Sequence, residues 1–128
     1  MSELFGKQQF NVGVVGATGL VGEHMLDILT ERDFPIGHLE LFASERSEGK
    51  EILFNDKAVV VQPTKAADFS GLDIVFMSAG ATLSREIAPR AAKAGAIVID
   101  NSSAWRTSPE VPLVVSEVNP EKVQDRPL

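Results

Sequence analysis

Two clusters in this chain have residue types and spacing suited to holding a phosphorylated ligand. The first is Gly16-x-x-Gly19-x-x-Gly22. It follows a short apolar run rich in β-branched residues (Val12, Val14, Val15) and precedes a helical pattern. A dinucleotide's pyrophosphate needs backbone N–H donors, and the first turn of a helix offers unpaired ones at its positive dipole end. Glycine stands where such a backbone must turn sharply or come close to the ligand. Gly16 reads as the turn, Gly19 as the closest approach, and Gly22 as the point where helix packs on strand. Thr18 adds a hydroxyl that can donate to a phosphate. The plainer reading is a tight turn in an α/β domain that binds no nucleotide. A strand before and a helix after favour the dinucleotide.

The second cluster is Ser44-Glu45-Arg46-Ser47, directly after the apolar stretch Leu39–Ala43. At the end of the second strand of a nucleotide-binding unit, an acidic residue bonds the ribose of NAD, whereas a basic one accepts the extra phosphate of NADP. Here the strand closes without an acid. Ser44, Arg46 and Ser47 offer two hydroxyls and a guanidinium fork suited to a phosphate dianion. Glu45 is expected to point away, and the alternative is a polar turn with a solvated arginine. Two further stretches lie where strands are expected to end. Ser78-Ala79-Gly80-Ala81-Thr82 is small enough to admit a ribose or nicotinamide, or is simply a turn before a helix. In Asp100–Arg106, Asn101 and Ser102 can bond near the nicotinamide and Arg106 can clamp an anionic substrate group. Otherwise Asn101 and Ser102 satisfy turn backbone and Arg106 is a surface arginine. Trp105 is expected to pack in the core.

These residues need a scaffold. The first helix is read with Val21, Met25, Ile28, Leu29 and Arg32 on one face, and the loop after it as Asp33–Gly37. Short strands are expected at Glu51–Phe54 and Ala58–Gln62 around an Asn55-Asp56-Lys57 turn. A short helix is expected at Thr64–Phe69, and buried strands at Asp73–Met77 and Ile97–Ile99. A helix over Leu83–Ala94, ended by Gly95, contains Pro89 and is expected to kink or restart there. Residues Pro109–Val115 read as extended, and 121–128 as poorly ordered. Alternating strands and helices imply an open, mostly parallel α/β sheet with helices on both faces.

Composition narrows the function. With 128 residues, the chain is one domain's worth and can bury a real core. A net charge of −6 argues against a general nucleic-acid binder. No apolar run is long enough for a bilayer, and MSELFGKQQ lacks a signal peptide's apolar core, so the expected compartment is the cytoplasm. The chain has no cysteine, which excludes disulfides, thiolate zinc sites and a cysteine nucleophile within these residues. His24 and His38 lack metal-site spacing, and His24 is expected to be solvated. The absence of tyrosine argues against a short-chain epimerase, which needs a Tyr-x-x-x-Lys pair.

Taken together, GATGLVG (16–22), FASERSEGK (42–50), SAGATLS (78–84), VIDNSSAWR (98–106) and PLVVSEVNP (112–120) resemble the aspartate-semialdehyde dehydrogenases. The resemblance spans nearly the whole chain. The segment at 100–106 and the closing SEVNP set it apart from N-acetyl-γ-glutamyl-phosphate reductase, which shares the glycine turn. It implies the Rossmann-type, NADP-binding domain, residues 1–128, of a homo-oligomeric enzyme in lysine, threonine and methionine biosynthesis. That family reductively dephosphorylates β-aspartyl phosphate to aspartate semialdehyde through a cysteine thioester, with a histidine as acid/base. Carried over by motif, Gly16, Thr18, Gly19, Leu20 and Val21 would line the pyrophosphate, and Ser44, Arg46 and Ser47 would hold the 2′-phosphate. Ser78 and Gly80 would face the ribose and nicotinamide, Asn101 would also belong to the cofactor site, and Arg106 would bind the substrate's phosphate. The family's cysteine falls shortly after Asn119-Pro120 and is not found here, nor are the histidine and substrate-carboxylate arginine of the second domain. Ser116 stands where the family has proline. The chain alone is therefore expected to be inactive; the alternatives are a stand-alone dinucleotide-binding module and an N-acetyl-γ-glutamyl-phosphate reductase-like domain.

Overall fold

The computed structural model describes residues 8–114, 118, 119, 121 and 122. Among them are six strands: β1 (Phe10–Val15), β2 (Ile36–Ala43), β3 (Glu51–Phe54), β4 (Lys57–Pro63), β5 (Ile74–Met77) and β6 (Ile97–Asp100). Two α-helices accompany them, α1 (Leu20–Glu31) and α2 (Ala81–Lys93). The strands form one sheet in the order β3-β4-β2-β1-β5-β6. Every neighbouring pair is parallel except β3 with β4.

Because side chains alternate across a strand, β1 feeds two cores. Val12 and Val14 pack with Leu41, Val61 and the α1 residues Leu26 and Leu29. Val15 joins Val75, Met77 and the α2 residues Ile87 and Ala91. The two helices therefore cover opposite faces, as the α/β alternation implies. The hairpin β3–β4 turns at Asn55 and Asp56, both at positive φ (50° and 67°), the backbone of a type I′ turn, which Asn and Asp tolerate. Its second strand lies parallel to β2, with Leu41 opposite Val61. The hairpin thus widens the sheet on the side carrying the Ser44–Ser47 loop.

Several expectations are corrected. The face of α1 that is buried is Gly22, Leu26 and Leu29, while Val21 and Ile28 are half exposed. The cause lies at the helix start. A Cβ on Gly22 would overlap the Gly16 carbonyl oxygen, so this position must press on the turn, which sets the rotation of everything after it. Val21, Met25 and Ile28 instead flank a depression of about 220 Å³ floored by Phe76. β2 starts at Ile36, so Gly37 belongs to the strand rather than the loop. The helix expected at Thr64–Phe69 is one 3₁₀ turn, Thr64–Ala66. α2 begins at Ala81 and runs without a break through Pro89. Gly95 follows it at φ +103°, the left-handed position that glycine accepts. No strand forms over 109–114: residues 109–111 turn and bend, and 112–114 belong to no regular element. Ser116, Pro120 and the tail 123–128 lie outside the described residues; Lys122 N–H bonds the Asn119 carbonyl at 3.1 Å.

One buried hydroxyl closes the end of β2. Pro63 stands opposite Ala43 and has no N–H, and the buried Thr64 donates to the Ala43 carbonyl at 3.0 Å. Thr64→Val keeps the shape but orphans that carbonyl, at an expected cost of about 1–3 kcal/mol. Urea unfolding should show a lower midpoint at unchanged slope. An unchanged midpoint would mean that another donor takes over.

Candidate functional site

The chain leaves β1 for β2 on one side and returns to β5 on the other, so the order reverses at β1. In an open α/β sheet, ligands bind outside the carboxyl ends of the strands at such a point. Gly16 and Ser78 directly follow the paired residues Val15 and Met77 and therefore stand at the mouth of the crevice.

The three glycines divide the work by geometry. Gly16 has φ +85°, and a Cβ there would lie 2.8 Å from the Ser78 carbonyl oxygen. Its N–H and that of Ala17 both donate to the Phe42 carbonyl, at 2.8 and 3.1 Å, which anchors the turn on β2. Gly22 is closed off by the turn itself, as described above. Gly19 differs: φ is −79°, and a Cβ would meet only the Gly16 carbonyl oxygen, at an ordinary 3.5 Å. Nothing among the described residues requires glycine at 19, so the space in front of it is available to a ligand. Gly19 is also the N-cap of α1 and makes no side-chain cap bond, so among the described residues no side chain claims the first N–H groups of the helix. Leu20 and Val21 expose their side chains beside them. Gly80, the N-cap of α2, likewise has nothing within 4 Å of a Cβ. The open backbone at 19 and 80, with two helix N-termini facing the mouth of one crevice, fits a dinucleotide.

Thr18 Oγ1 and Ser47 Oγ lie 3.3 Å apart, so the glycine turn and the loop after β2 are in contact. Ser44 caps the 3₁₀ turn Glu45–Ser47 and is exposed, as are Glu45 and Arg46. The Arg46 guanidinium makes no hydrogen bond or ion pair among the described residues. Ser78 turns its hydroxyl back, donating to the Val15 carbonyl at 3.0 Å, which leaves its lone pairs for a ligand. Asn101 donates its backbone N–H to Met77 O (3.1 Å) and exposes its side chain. Ser102 satisfies turn backbone, accepting the Ala104 N–H at 3.2 Å. Arg106 is exposed beyond it.

Trp105 is a correction. It is half-buried and belongs to neither core cluster, because its indole N–H donates to Ser84 Oγ at 3.0 Å. Ser84 in turn donates to Asp100 Oδ2, and Asp100 Oδ1 accepts the Ser102 N–H at 2.7 Å. Sequence reasoning passed over Ser84 and Asp100. Both left a signal: a serine on the otherwise apolar stripe 84, 87, 88, 91, and an Asp two residues before a turn N–H. The larger cavity, about 380 Å³ near the end of α2, is lined by Phe69, Arg90 and Lys93. Arg90 is already committed there, donating to Ala67 O at 2.7 Å and lying 5.7 Å from the Phe69 ring centre. Among the described residues no helix is long and apolar enough to cross a membrane.

The family profile of the semialdehyde dehydrogenase, NAD binding domain, matches residues 11–126. The chain belongs to that family. This semialdehyde dehydrogenase domain is 58% identical over 116 residues to an aspartate-semialdehyde dehydrogenase of Streptomyces akiyoshiensis, covering 91% of the chain and 33% of the relative. It superposes on aspartate-semialdehyde dehydrogenase II of Vibrio cholerae, complexed with ASA, with a TM-score of 0.89 and 54% identity. That match covers 92% of this chain and 39% of the other. The Candida albicans enzyme, solved with NADP, gives 0.76 at 29% identity, covering 91% and 36%. The domain thus spans about a third of the length of the curated relatives it matches.

Proposed function

We propose that this domain holds NADP in the crevice outside β1 and β5 and forms the cofactor part of an aspartate-semialdehyde dehydrogenase. The observation that carries this reading is the Thr18–Ser47 contact, which joins a turn shaped for pyrophosphate to a loop shaped for a 2′-phosphate. The N–H groups at the start of α1 would receive the pyrophosphate, with Gly16, Thr18, Gly19, Leu20 and Val21 around it. Ser44, Arg46 and Ser47 would receive the 2′-phosphate. Ser78, Gly80 and Asn101 would border the ribose and nicotinamide, and Arg106 would face the phosphate of β-aspartyl phosphate. Bound there, the cofactor supplies hydride to reduce an activated carboxyl group. Since these 128 residues hold no cysteine, the thiol used by such enzymes comes from other sequence, and the domain alone should not turn over substrate. The complete enzyme is on this reading a cytoplasmic homo-oligomer acting on a small molecule, with neither nucleic acid nor membrane as partner.

Titration of the purified chain with NADPH and with NADH tests the assignment. NADPH should bind tighter, and Arg46→Ala should weaken it roughly 10- to 100-fold, the equivalent of one charged phosphate contact. NADH affinity should stay put. Equal affinity for both cofactors in the unmodified chain would sink the 2′-phosphate role of Ser44, Arg46 and Ser47.

A further inference from the structure

Ser84 is completely buried on the sheet-facing stripe of α2, where every other buried position is apolar (Ile87, Ala88, Ala91). A helix serine commonly satisfies itself on the carbonyl one turn back. Ser84 instead reaches across to the loop after β6, accepting from Trp105 Nε1 at 3.0 Å and donating to Asp100 Oδ2. The direction of this relay is forced. Indole N–H can only donate, so the Ser84 oxygen accepts from Trp105 and its own hydroxyl hydrogen is left for the Asp100 carboxyl oxygen. Asp100 uses its other oxygen to hold the Ser102 N–H at 2.7 Å. Residues 100–105 are therefore tied at both ends to one hydroxyl. Asn101 follows the first tie and Arg106 the second, and both expose their side chains at the carboxyl edge of the sheet. Beside the clamp, the far end of the loop has backbone bonds only to its near neighbours, Ser108 N–H to Trp105 O at 3.1 Å and a long 3.4 Å from Arg106 N–H to Ser103 O, among the described residues. Ser84 also lies one turn from Gly80, its own N–H bonded to the Gly80 carbonyl at 3.0 Å.

We propose that Ser84 is a positioning residue: by holding Trp105 to Asp100 it sets where Arg106 stands at the sheet edge, and with it the affinity of Arg106 for a phosphate group. This deepens the reading of Arg106 given above and rests on it. Trp105 serves as the donor arm of a clamp, not as core filling.

The chain contains a single tryptophan, so its indole N–H gives one resonance in a ¹⁵N–¹H correlation spectrum. Inorganic phosphate, titrated into the chain with and without NADPH, should shift the Arg106 Nε–H and the indole resonance saturably, and Arg106→Ala should abolish the effect. In Ser84→Ala the indole N–H should exchange with solvent at least about 10-fold faster, because its acceptor is gone. Phosphate affinity should fall roughly 10-fold, while NADPH affinity stays within about twofold. That split is the signature of positioning, since general damage to the crevice lowers both. Trp105→Phe removes the donor alone, leaves the buried Ser84–Asp100 bond, and decides the matter if Ser84→Ala does not fold. Phosphate affinity within about twofold of the unmodified chain in both variants would overturn the proposal. So would a joint loss of NADPH binding, or phosphate binding that is absent or survives Arg106→Ala. NADPH binding by the unmodified chain, read in the same samples, judges the cofactor assignment separately.

Discussion

Gly22→Ala should lose about 2 kcal/mol of folding stability, although it puts a better helix former inside a helix. Two effects oppose each other. Alanine is favoured over glycine in a helix by about 1 kcal/mol. Against this, the new Cβ would overlap the Gly16 carbonyl oxygen and lie 2.9 Å from Ala17 Cα. Both obstacles are backbone, so no rotamer change relieves them. Overpacking in a tight site costs about 1–3 kcal/mol and sometimes more. Here relief means moving α1 away from β1, which also loosens Leu26 and Leu29 against Val12 and Val14. The loss is a large share of the roughly 5–15 kcal/mol typical of a domain. The clash wins. Thermal unfolding by circular dichroism should show a midpoint lower by about 5–10 °C. A midpoint equal to or above that of the unmodified chain would mean that the helix start is looser than its geometry implies.

Gly19→Ala should do the reverse, sparing the fold and weakening cofactor binding. At φ −79° and ψ 167° alanine is unstrained, and its nearest neighbour would stand at an ordinary 3.5 Å. Fewer accessible unfolded conformations stabilise by about 0.4–1 kcal/mol, which roughly offsets the loss of replacing a glycine N-cap by alanine. The methyl group would occupy the path by which a phosphate reaches the N–H groups of α1. Losing one such charged hydrogen bond costs about 1.5–3 kcal/mol. NADPH affinity should therefore fall roughly 10- to 150-fold with stability changed by less than about 1 kcal/mol. Retained affinity in Gly19→Ala would place the pyrophosphate elsewhere. The pair separates a glycine that the fold requires from one that the ligand requires.

How far residue identity reaches here follows from what each feature depends on. Gly16, Gly19 and Gly22 were legible because the requirement they meet is local: a positive φ, an uncovered backbone and a contact within one turn. Asn55 and Asp56 were legible for the same reason, since few residues other than glycine accept left-handed φ. The α/β alternation and the buried strands follow from short apolar runs between breakers. The phase of α1 was misread as Val21, Met25, Ile28, Leu29 and Arg32, because apolar spacing alone cannot say which of two overlapping stripes meets the sheet. The backbone clash at Gly22 decides it. The hairpin's place beside β2 was equally hidden, since strand order is a pairing between segments about 20 residues apart. The clamp of Ser84, Asp100 and Trp105 is the clearest case. Its bonds span 16 and 21 residues, and they exist only because parallel pairing of β5 and β6 carries Asp100 alongside Met77, at the end of the sheet where α2 begins. Residue types specify which hydrogen bonds are possible; the packing of helix on sheet selects the ones that form.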